Sequence, residues 1–532
     1  MESHCTYIPY SETGFFTPLV LDYLQQKKEL QSFYTFSPDE AGIDAAIKAR
    51  EQFPVNREVL VQVLQKQYTG LQCADAVTKN VEALKQETTF TVCTAHQPNL
   101  LTGYLYFIYK IAHAIQLANA LNAKHPGKRF VPVYYMGSED NDLAELGVFR
   151  YGGKKYVWDG DGQTGAVGRM NTKSLEKLLA ELFKVMGPPG EHTEQLKEIL
   201  SQAYLHHDTV GGATRYLVNE LFGRYGLIVL DADEPGFKRE MLPVLKDDLL
   251  RHTANGIVKD TAAKLSENYK SQAYPRDINL FYLADGIRER IERDGNKWVV
   301  LNSDVSWNEE TLLEELGQHP ERFSPNVILR GILQESILPD VAFIGGGAEV
   351  AYWLQLKELF NHYKVFYPAV VLRQSALWID SRAAELQKKV DLSTKDLFKP
   401  VDVLALEYVN NNSNAEWHTG TEAAAFEGLI NQLREKATSI DTTLKPAAEA
   451  VLTKIKYQLA LLEKKMLRAE KRKHDTEIQR IGKIKGILFP DNSLQERYCN
   501  FIEFYTIYGH DFLNQVLKHT SPYNKGFMVI TV

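Results

Sequence analysis

An acid-rich turn is the strongest sign of chemistry in this chain. It follows the apolar run Phe130–Met136, which is typical of a buried strand, and it contains Glu139, Asp140, Asn141 and Asp142. In an open α/β sheet, ligands bind at the loops that leave the carboxyl ends of the strands. Clustered carboxylates raise one another's pKa, which suits one of them to accept a proton, and they also bind amines or magnesium. A helix N-cap explains one such residue but not three acids.

A second polar turn lies between a predicted strand, Thr89–Thr94, and a predicted helix, Gly103–Asn122. The backbone N–H groups at a helix start are unpaired and favour an anionic ligand. Lys110, about two turns into the helix, either reaches the same ligand or points to solvent. The other candidate substrate-binding residues of this turn are Gln97, Asn99 and Thr102.

A third group of candidates spans two later turns. Arg330 stands in an otherwise apolar run, where a guanidinium needs a carboxylate or phosphate partner. A structural ion pair with Glu335 or Glu349 is the alternative, and Arg373 has the same ambiguity. The triplet Gly345-Gly346-Gly347 lets an anion approach the backbone, although its spacing matches neither the dinucleotide nor the P-loop fingerprint. The candidate substrate-binding residues of this group are Asn326, Arg330, Gln334, Glu349, Tyr352 and Arg373.

These turns need a scaffold, and the chain supplies alternating strands and helices. Residues 89–136 read as a strand–helix–strand unit of parallel crossover length, and further strand–turn–helix units follow. We therefore predict an α/β fold, with a doubly wound parallel sheet over residues 89–380 and insertions at about 150–205 and 250–320. Lys297–Leu301 is one more candidate strand of this sheet.

The two ends of the chain carry different patterns. Residues 1–88 are predicted to be helical and packed on the core, and residues 491–532 form a C-terminal segment. Residues 381–490 are predicted to be a helical arm, in which the helix starting near Pro446 repeats apolar residues at spacings of three and four. This pattern indicates a coiled coil and a homodimer, although an amphipathic helix packed on its own domain explains it too. The same helix is rich in lysine and arginine. A basic stripe of this kind can bind a polyanion, but it is more commonly the solvent-exposed face of a helix.

Composition and charge argue against several classes of protein. A formal net charge of −7 over 532 residues argues against extensive nucleic-acid binding. No stretch reaches the ~20 apolar residues of a membrane span, and the N-terminus lacks a signal-peptide pattern. The four cysteines lack Cys-x-x-Cys spacing, and His206-His207-Asp208 is a weak metal signal. We predict a cytoplasmic protein and assign no metal ligands.

Taken together, the motifs resemble those of the bacillithiol-biosynthesis cysteine-adding enzymes, the BshC family. This family commonly has Gly-Gln-Gln where this chain has Ala95-His96-Gln97, and Glu-Asp-His-Asp where this chain has Asn141 in the third place. His96 is the conceivable substitute for that histidine and becomes a candidate catalytic residue. The resemblance covers most of the chain and is carried by His96–Tyr106 with Tyr109-Lys110, Val131–Asp142, Ser324–Arg330, Leu338-Pro339, Gly345–Glu349, Ala351–Lys357, Leu488–Pro490 and Leu494–Arg497.

The resemblance implies a Rossmann-like core related to class I aminoacyl-tRNA synthetases, with connecting insertions and a C-terminal α-helical coiled coil that dimerises. It also implies that cysteine is joined to the amino group of glucosaminyl malate, giving bacillithiol. The chain has no convincing Lys-Met-Ser-Lys-Ser element like that of the synthetases. Because amide condensation in water is uphill, ATP is an expected co-substrate, and the use of a metal is left open.

The leading hypothesis is an amide-forming ligase. Asp142 or Glu139 accepts the amine proton, and Arg330 with the glycine triplet holds a carboxylate, a phosphate or the malate. One alternative is a nucleotidyltransferase or nucleotide-sugar enzyme that holds magnesium on the acid-rich turn. The other is a non-enzymatic RNA- or partner-binding scaffold that acts through the basic arm. The ligase hypothesis requires that the three polar turns meet at one edge of the sheet.

Overall fold

A five-stranded parallel sheet forms the centre of the computed structural model, which describes residues 2–532. The strand order is β3-β2-β1-β4-β5, and every neighbouring pair is parallel. This is the order of a Rossmann-like sheet, which confirms the predicted fold class. The order reverses between β1 and β4, so a crevice is expected at their carboxyl ends. The strands are β1 Thr89–His96, β2 Arg129–Met136, β3 Ile228–Asp231, β4 Asp340–Gly345 and β5 Ala369–Leu372.

Continuous burial explains why the strands of this sheet could be read from apolar runs. Residues 89–94 of β1 and 130–136 of β2 are all buried, as expected for parallel strands covered on both faces. β1 continues two residues past the predicted end at Thr94, because Ala95 and His96 pair with the end of β2. The helices that matter for the site are α1 Tyr106–Lys124, α2 Arg330–Ile337 and α3 Gly347–Tyr363.

The two chain ends meet, which the sequence did not predict. His4–Pro9 pairs antiparallel with Gly526–Thr531, in a three-stranded sheet with Ala376–Ile379. Residues 1–88 are therefore not purely helical, and the C-terminal segment belongs with the core. A pairing between the two ends leaves no local sequence pattern. The other elements here are helices Pro18–Leu24, Glu40–Arg50, Arg57–Tyr68, Asp75–Ala83, Ile502–Tyr508 and His510–His519.

Two insertions interrupt the parallel sheet. The first contains an antiparallel pair, Val148–Tyr151 with Lys154–Val157, and helices Leu143–Leu146, Leu175–Val185, Glu191–Leu205 and Val210–Phe222. The second contains helices Pro235–Arg239, Leu242–Arg251, Thr253–Leu265 and Glu309–Gln318, and strands Leu280–Ala284, Ile287–Asp294, Lys297–Val300, Ser306–Trp307 and Phe323–Pro325. These five strands form their own antiparallel sheet. The predicted strand at Lys297 thus lies outside the central sheet, because short hairpin turns join it to its neighbours.

The chain divides into two compact units. One comprises the chain through Trp378 together with Ser493–Val532, and the other comprises Ile379–Asn492. The second unit is entirely helical among its regular elements, and an ion pair of 2.8 Å between Lys456 and Glu427 joins its two longest helices. Among the described residues, no helix combines the length and apolar character that crossing a membrane requires. The helices of the second unit are Ser381–Lys389, Val401–Asn412, Gly420–Ile440, Lys445–Lys473 and Asp475–Leu488.

Candidate active site

The three polar turns meet in one cleft. A cavity of about 590 Å³ opens at the carboxyl ends of β1, β2 and β4, where the strand order reverses. This is the place at which α/β sheets bind their ligands. The convergence that the ligase hypothesis requires is therefore present. The predicted residues that line the cleft are His96, Gln97, Lys110, Asp140, Asn141, Asp142, Asn326, Arg330, Gly346, Gly347, Glu349, Tyr352 and Arg373.

Asp140 lies among cationic groups. Its Oδ2 is 3.7 Å from Nη2 of Arg330 and accepts a hydrogen bond from Nε2 of Gln97 at 3.3 Å. Burial acts to raise the pKa of Asp140, but the charges of Arg330 and Arg288 outweigh it and hold the pKa below its ordinary value. The sequence predicted the opposite direction from the neighbouring acids. That prediction is wrong at Asp140, because the decisive charges come from distant parts of the chain.

Asp142 and Glu145 carry the remaining carboxylates of this wall. Asp142 precedes the short helix Leu143–Leu146, and its Oδ1 accepts the N–H of Glu145 at 3.1 Å. Asp142 is thus a helix cap, the alternative explanation, and it also lines the cleft. Burial, followed by the charges of Asp142 and Asp140, raises the pKa of Glu145. The mutual effect of clustered acids is therefore found at Glu145, just beyond the predicted group.

Glu139 does not line the cleft. Its side chain is buried and pairs with the ammonium group of Lys238, which is itself fully buried. Lys238 also donates to the carbonyl of Phe323 at 3.3 Å. A buried carboxylate with such a partner anchors the loop and is not open to a substrate. The structure places Glu139 in this buried pair outside the cleft, and its assignment as a proton acceptor stays a prediction.

Asn141 joins the acid-rich turn to an arginine that the sequence did not single out. Its Oδ1 accepts from Nη1 of Arg288 at 3.0 Å, and its Nδ2 donates to the Arg288 carbonyl at 3.1 Å. The Arg288 guanidinium packs 4.0 Å from the centre of the Phe281 ring. Burial and the nearby charge of Arg330 lower the pKa of Arg288 to about 10. Asn141 therefore fixes a second guanidinium in the cleft.

Arg330 is the first residue of α2, and its side chain is 25% exposed. Its nearest carboxylate is Asp140, and neither Glu335 nor Glu349 pairs with it, although both were possible partners from the sequence. At 3.7 Å the pair with Asp140 exceeds hydrogen-bond distance. The Arg330 guanidinium is therefore held in place by charge but open to a ligand.

Two polar residues flanking Arg330 have structural roles. Asn326 lines the cleft, yet its Oδ1 accepts the N–H of Ile328 at 2.8 Å and its Nδ2 donates to Asn279 at 3.1 Å. Gln334 is buried one helical turn deeper and donates to Glu335 at 2.9 Å. Gln334 lies outside the cleft, and its substrate-binding assignment stays a prediction.

His96 is the only polar side chain of its turn, apart from Gln97, that lines the cleft. Burial, with the charges of Lys110 and Arg373, lowers the pKa of His96 well below its ordinary value, so the ring is neutral. Its Nε2 is buried and has no hydrogen-bond partner among the described residues. Asn99 and Thr102 are both buried and lie outside the cleft, so the structure does not bring these two predicted residues to it. Asn99 instead packs under Gly103, where a Cβ would lie 3.0 Å from the Asn99 Cβ.

Lys110 points inward and makes a charge pair. Its Nζ lies 2.7 Å from Oε2 of Glu349, and it also donates to the carbonyl of Ala95. Burial lowers the pKa of Lys110, and the carboxylate of Glu349 opposes that shift. The solvent-facing alternative is therefore wrong. Lys110 and Glu349 together join the end of β1 to the start of α3 at the floor of the cleft.

The glycine triplet behaves differently from the prediction. Gly345 lies outside the cleft, and a Cβ there would meet the Phe343 ring at 2.9 Å, so packing demands this glycine. The N–H of Gly346 donates to Glu349 at 2.7 Å and is not free for an anion. Gly347 lines the cleft as the first residue of α3. Of the triplet, Gly346 and Gly347 line the cleft and Gly345 does not, and the anion-binding assignment stays a prediction.

Arg373 is held by a carboxylate from the C-terminal segment. Its two Nη atoms donate to the two oxygens of Glu496 at 2.7 and 2.9 Å, and both side chains are buried. Its Nη1 also donates to Oγ of Ser375 at 3.1 Å. The structural explanation for Arg373 is present, although the residue also lines the cleft. Tyr352 lines the opposite wall, where burial raises the pKa of its hydroxyl.

Three charged lining residues were not among the predicted ligands: Arg288, Glu145, which follows the acid-rich turn, and Arg497. Arg288 stands in a hairpin strand with other charged residues, which looks solvent-facing. Arg497 belongs to the Leu494–Arg497 segment, so the resemblance offered a signal there. Among the described residues, no group of three or more His, Cys, Asp or Glu side chains is placed to hold a metal ion.

The chain is similar to proteins of one family over its whole length. Residues 1–374 match the model described as "Bacillithiol biosynthesis BshC, N-terminal Rossmann-like domain", and residues 376–532 match the "C-terminal coiled-coil domain" of the same family. A protein of Christiangramia forsetii named "Putative cysteine ligase BshC" is 40% identical, with 100% of this chain and 99% of that protein covered. A protein of the same name from Bacillus thuringiensis is 29% identical, with 96% and 97% covered.

A solved structure also matches the chain at low similarity. It is titled "putative arginyl t-RNA synthetase", comes from Campylobacter jejuni, and is 9% identical over 84% of this chain and 97% of that one. Its TM-score of 0.22 is too low to bear on the fold.

Proposed function

The chain belongs to the BshC family of bacillithiol biosynthesis, and we propose that it is a ligase that joins the carboxyl group of cysteine to the amino group of glucosaminyl malate. The single observation that carries this proposal is the charge pattern of the cleft. Guanidinium groups and carboxylates both line it. A substrate that carries both an acid and an amine needs this combination.

The arginines supply the site for the acid. Arg288 and Arg330 are close enough for Arg330 to lower the pKa of Arg288, and Asp140 is the carboxylate nearest to Arg330. Two guanidinium groups that share one carboxylate retain positive charge. Guanidinium groups bind carboxylates with paired hydrogen bonds. We therefore assign the malate carboxylates to Arg288 and Arg330.

The carboxylates supply the site for the amine. Amide formation requires the amine nitrogen to lose a proton as it attacks the carboxyl carbon of cysteine. Glu145 has a raised pKa and therefore holds that proton better than an ordinary carboxylate does. Asp142 stands beside it and adds negative charge that attracts the ammonium form. We assign Glu145 as the proton acceptor and Asp142 as its partner.

Activation of the cysteine carboxylate is the remaining requirement. We propose ATP as the co-substrate: transfer of a phosphoryl or adenylyl group to the cysteine carboxylate breaks a phosphoanhydride bond, and phosphate or AMP then leaves as the amine attacks the carboxyl carbon. The backbone N–H groups of Gly347 and Ala348 begin α3, and Arg497 lies in the same cleft, so these groups fit a phosphate. The neighbouring Gly346 N–H is already taken by Glu349.

The direct test is to incubate the purified protein with cysteine, glucosaminyl malate and ATP, and to identify the thiol product by mass spectrometry after thiol labelling. We expect bacillithiol, with no product when serine replaces cysteine or when ATP is omitted. Product formed without ATP but with another activator would remove the nucleotide assignment only. No product across a range of metals and activators would overturn the proposed function.

The Glu145 assignment is tested by Glu145→Gln. We expect kcat to fall about 10²- to 10⁴-fold and the acid limb of the pH–rate profile to disappear, because the carboxylate that must be ionised is gone. Glu176→Gln is the matched control, since Glu176 lies in the first turn of helix Leu175–Val185, outside the cleft. If the acid limb is unchanged in Glu145→Gln, another group must be the proton acceptor.

We further propose that the helical arm forms a homodimer. Large apolar side chains are exposed on its two longest helices, among them Leu429 at 56%, Leu433 at 54% and Leu462 at 48%. A coiled-coil partner buries such positions. Sedimentation at micromolar concentration is expected to give a dimer, and Leu433→Glu with Leu462→Glu is expected to give a monomer. A monomeric wild-type protein would refute the dimer.

We also propose that the protein works in the cytoplasm. Its four cysteines are all free thiols, and two of them, Cys93 and Cys499, are buried. Free thiols are typical of a reducing compartment. Fractionation of cells that express a tagged chain is expected to recover it in the cytoplasmic fraction, and recovery in the envelope or medium would refute this location.

A further inference from the structure

A second cavity of about 590 Å³ lies at the opposite edge of the central sheet. It is lined by Phe90 of β1, Lys128 just before β2 and Pro339 just before β4, so it opens where these strands begin. None of its lining residues lines the candidate active site. We call it the edge cavity.

The edge cavity is cationic in a chain whose net charge is −7. Its lining contains four cationic side chains and two carboxylates. Cations gathered around one cavity repel one another, and an anion between them relieves that repulsion. The cations are Arg50, Arg57, Lys85 and Lys128, and the carboxylates are Glu51 and Glu87.

Arg50 has an unused donor at this place. Its side chain is only 2% exposed, and its Nη2 donates to the backbone carbonyls of Leu338 and Glu335. Its Nε is buried and has no acceptor among the described residues. Buried donors in folded proteins are nearly always paired, so an acceptor that comes from outside the chain, a water or an anion in the cavity, fits this one.

The lysines of the cavity are held loosely. Lys128 pairs with Glu51, and Lys85 pairs with Glu82, but all four side chains are substantially exposed. Exposed pairs of this kind contribute little and exchange readily. Both ammonium groups are therefore able to turn to an incoming anion, whereas Arg57 is fixed by carbonyls such as that of Leu84 at 2.8 Å.

We propose that the edge cavity is a second binding site, for a small polyanion that carries phosphate or carboxylate groups. Arg50 and Arg57 form its fixed floor, and Lys128 and Lys85 close over the anion. The site is distinct from the active-site cleft. Arg50 binds the carbonyls at the far end of α2, the helix that begins at Arg330, so the two sites share a structural element.

Isothermal titration calorimetry at low ionic strength tests the site, with pyrophosphate as the phosphate probe and malate as the carboxylate probe. The titrations use the full chain in wild-type form and with Arg330→Gln and Arg497→Gln combined, which weakens the proposed carboxylate and phosphate sites of the cleft but leaves the edge cavity intact. We expect one of the two probes to bind both proteins with similar affinity at this site. The probe that binds identifies the anion class.

Variants with opposite expected signs separate this site from general charge effects. Lys128→Gln should raise the Kd at least about fivefold, whereas Glu51→Gln should lower it, because it removes a like charge from the cavity. Lys124→Gln is the matched control, since Lys124 pairs with Glu40 and Asp44 outside the cavity, and should leave the Kd unchanged. Thermal unfolding confirms that each variant is folded. Absence of binding, or binding that Lys128→Gln leaves unchanged, would overturn the proposal.

Discussion

The turns that carry Arg330 and Arg373 differ in how each guanidinium is held. Arg373 donates to both oxygens of the fully buried Glu496, at 2.7 and 2.9 Å. Arg330 has only Asp140, at 3.7 Å, and keeps 25% of its side chain exposed. Both arginines line the same cleft. Arg373 directly follows β5, and Arg330 is the first residue of α2. The two hydrogen bonds from Glu496 make Arg373 a structural residue. Arg330 has no such carboxylate and is left free to bind a ligand.

The largest expected effect is on the stability of the Arg373 turn. Arg373→Gln should lower the free energy of unfolding by about 3–5 kcal/mol, because it leaves the Glu496 charge buried without a partner. Urea unfolding measures this difference. Arg322→Gln is the matched control, since Arg322 pairs with Glu315 at 2.7 Å but is 39% exposed, and should cost less than about 1 kcal/mol. Equal losses in the two variants would break the comparison.

The next effect is on activity through Arg330. Arg330→Gln should lower kcat/KM about ten- to hundredfold, because a charge-assisted hydrogen bond to substrate contributes about 1.5–3 kcal/mol. The free energy of unfolding should change by less than about 1 kcal/mol. Steady-state kinetics and urea unfolding on the same preparation separate the two. A large loss of stability with little loss of kcat/KM would make Arg330 structural like Arg373.

Asp140 gives a smaller, pH-dependent effect. Its pKa in the folded protein is depressed, so the ionised carboxylate stabilises the fold above its unfolded pKa of about 3.9, and this contribution disappears as pH falls through the folded value. Asp140→Asn should therefore cost up to about 1 kcal/mol at pH 7 and nothing well below the folded pKa. Unfolding measured across this pH range tests the sign. A cost that grows on acidification would contradict the pairing.

Ser375 gives an effect of about the same size as Asp140 and well below that of Arg373. Ser375→Ala removes one hydrogen bond from the Arg373 guanidinium, at 3.1 Å, while Glu496 keeps its two. The expected loss of unfolding free energy is about 1 kcal/mol. Urea unfolding of this variant beside Arg373→Gln shows how much of the stability of the turn comes from the ion pair. A loss as large as that of Arg373→Gln would place the decisive contact at Ser375.

The central sheet and the location of the cleft could be predicted from the sequence because both have local signatures. β1 and β2 are continuous apolar runs, and polar residues stand out where such runs stop. Which polar residue turns inward could not be predicted. Glu139 lies beside Asp140 in sequence, yet it pairs with Lys238 from a later insertion, whose position no local pattern shows.

The wall of the cleft formed by the second insertion also could not be predicted from the sequence. Arg288 stands in the strand Ile287–Asp294, which carries several more charges and looks exposed throughout. Only the packing of this strand against the acid-rich turn buries Arg288 and brings it to Asn141. The pairing of the chain ends, His4–Pro9 with Gly526–Thr531, was equally invisible, because the partners share no sequence neighbourhood.

The contact between Arg373 and Glu496 determines the order in which parts of the protein can fold during synthesis. The ribosome releases the strand that ends before Arg373, then all of the helical arm, and only afterwards the carboxylate that neutralises this guanidinium. The strand His4–Pro9 waits longer still, because its partner strand Gly526–Thr531 follows Glu496 in the chain. A chain that stops before Glu496 should therefore leave Arg373 without its carboxylate and the cleft unfinished.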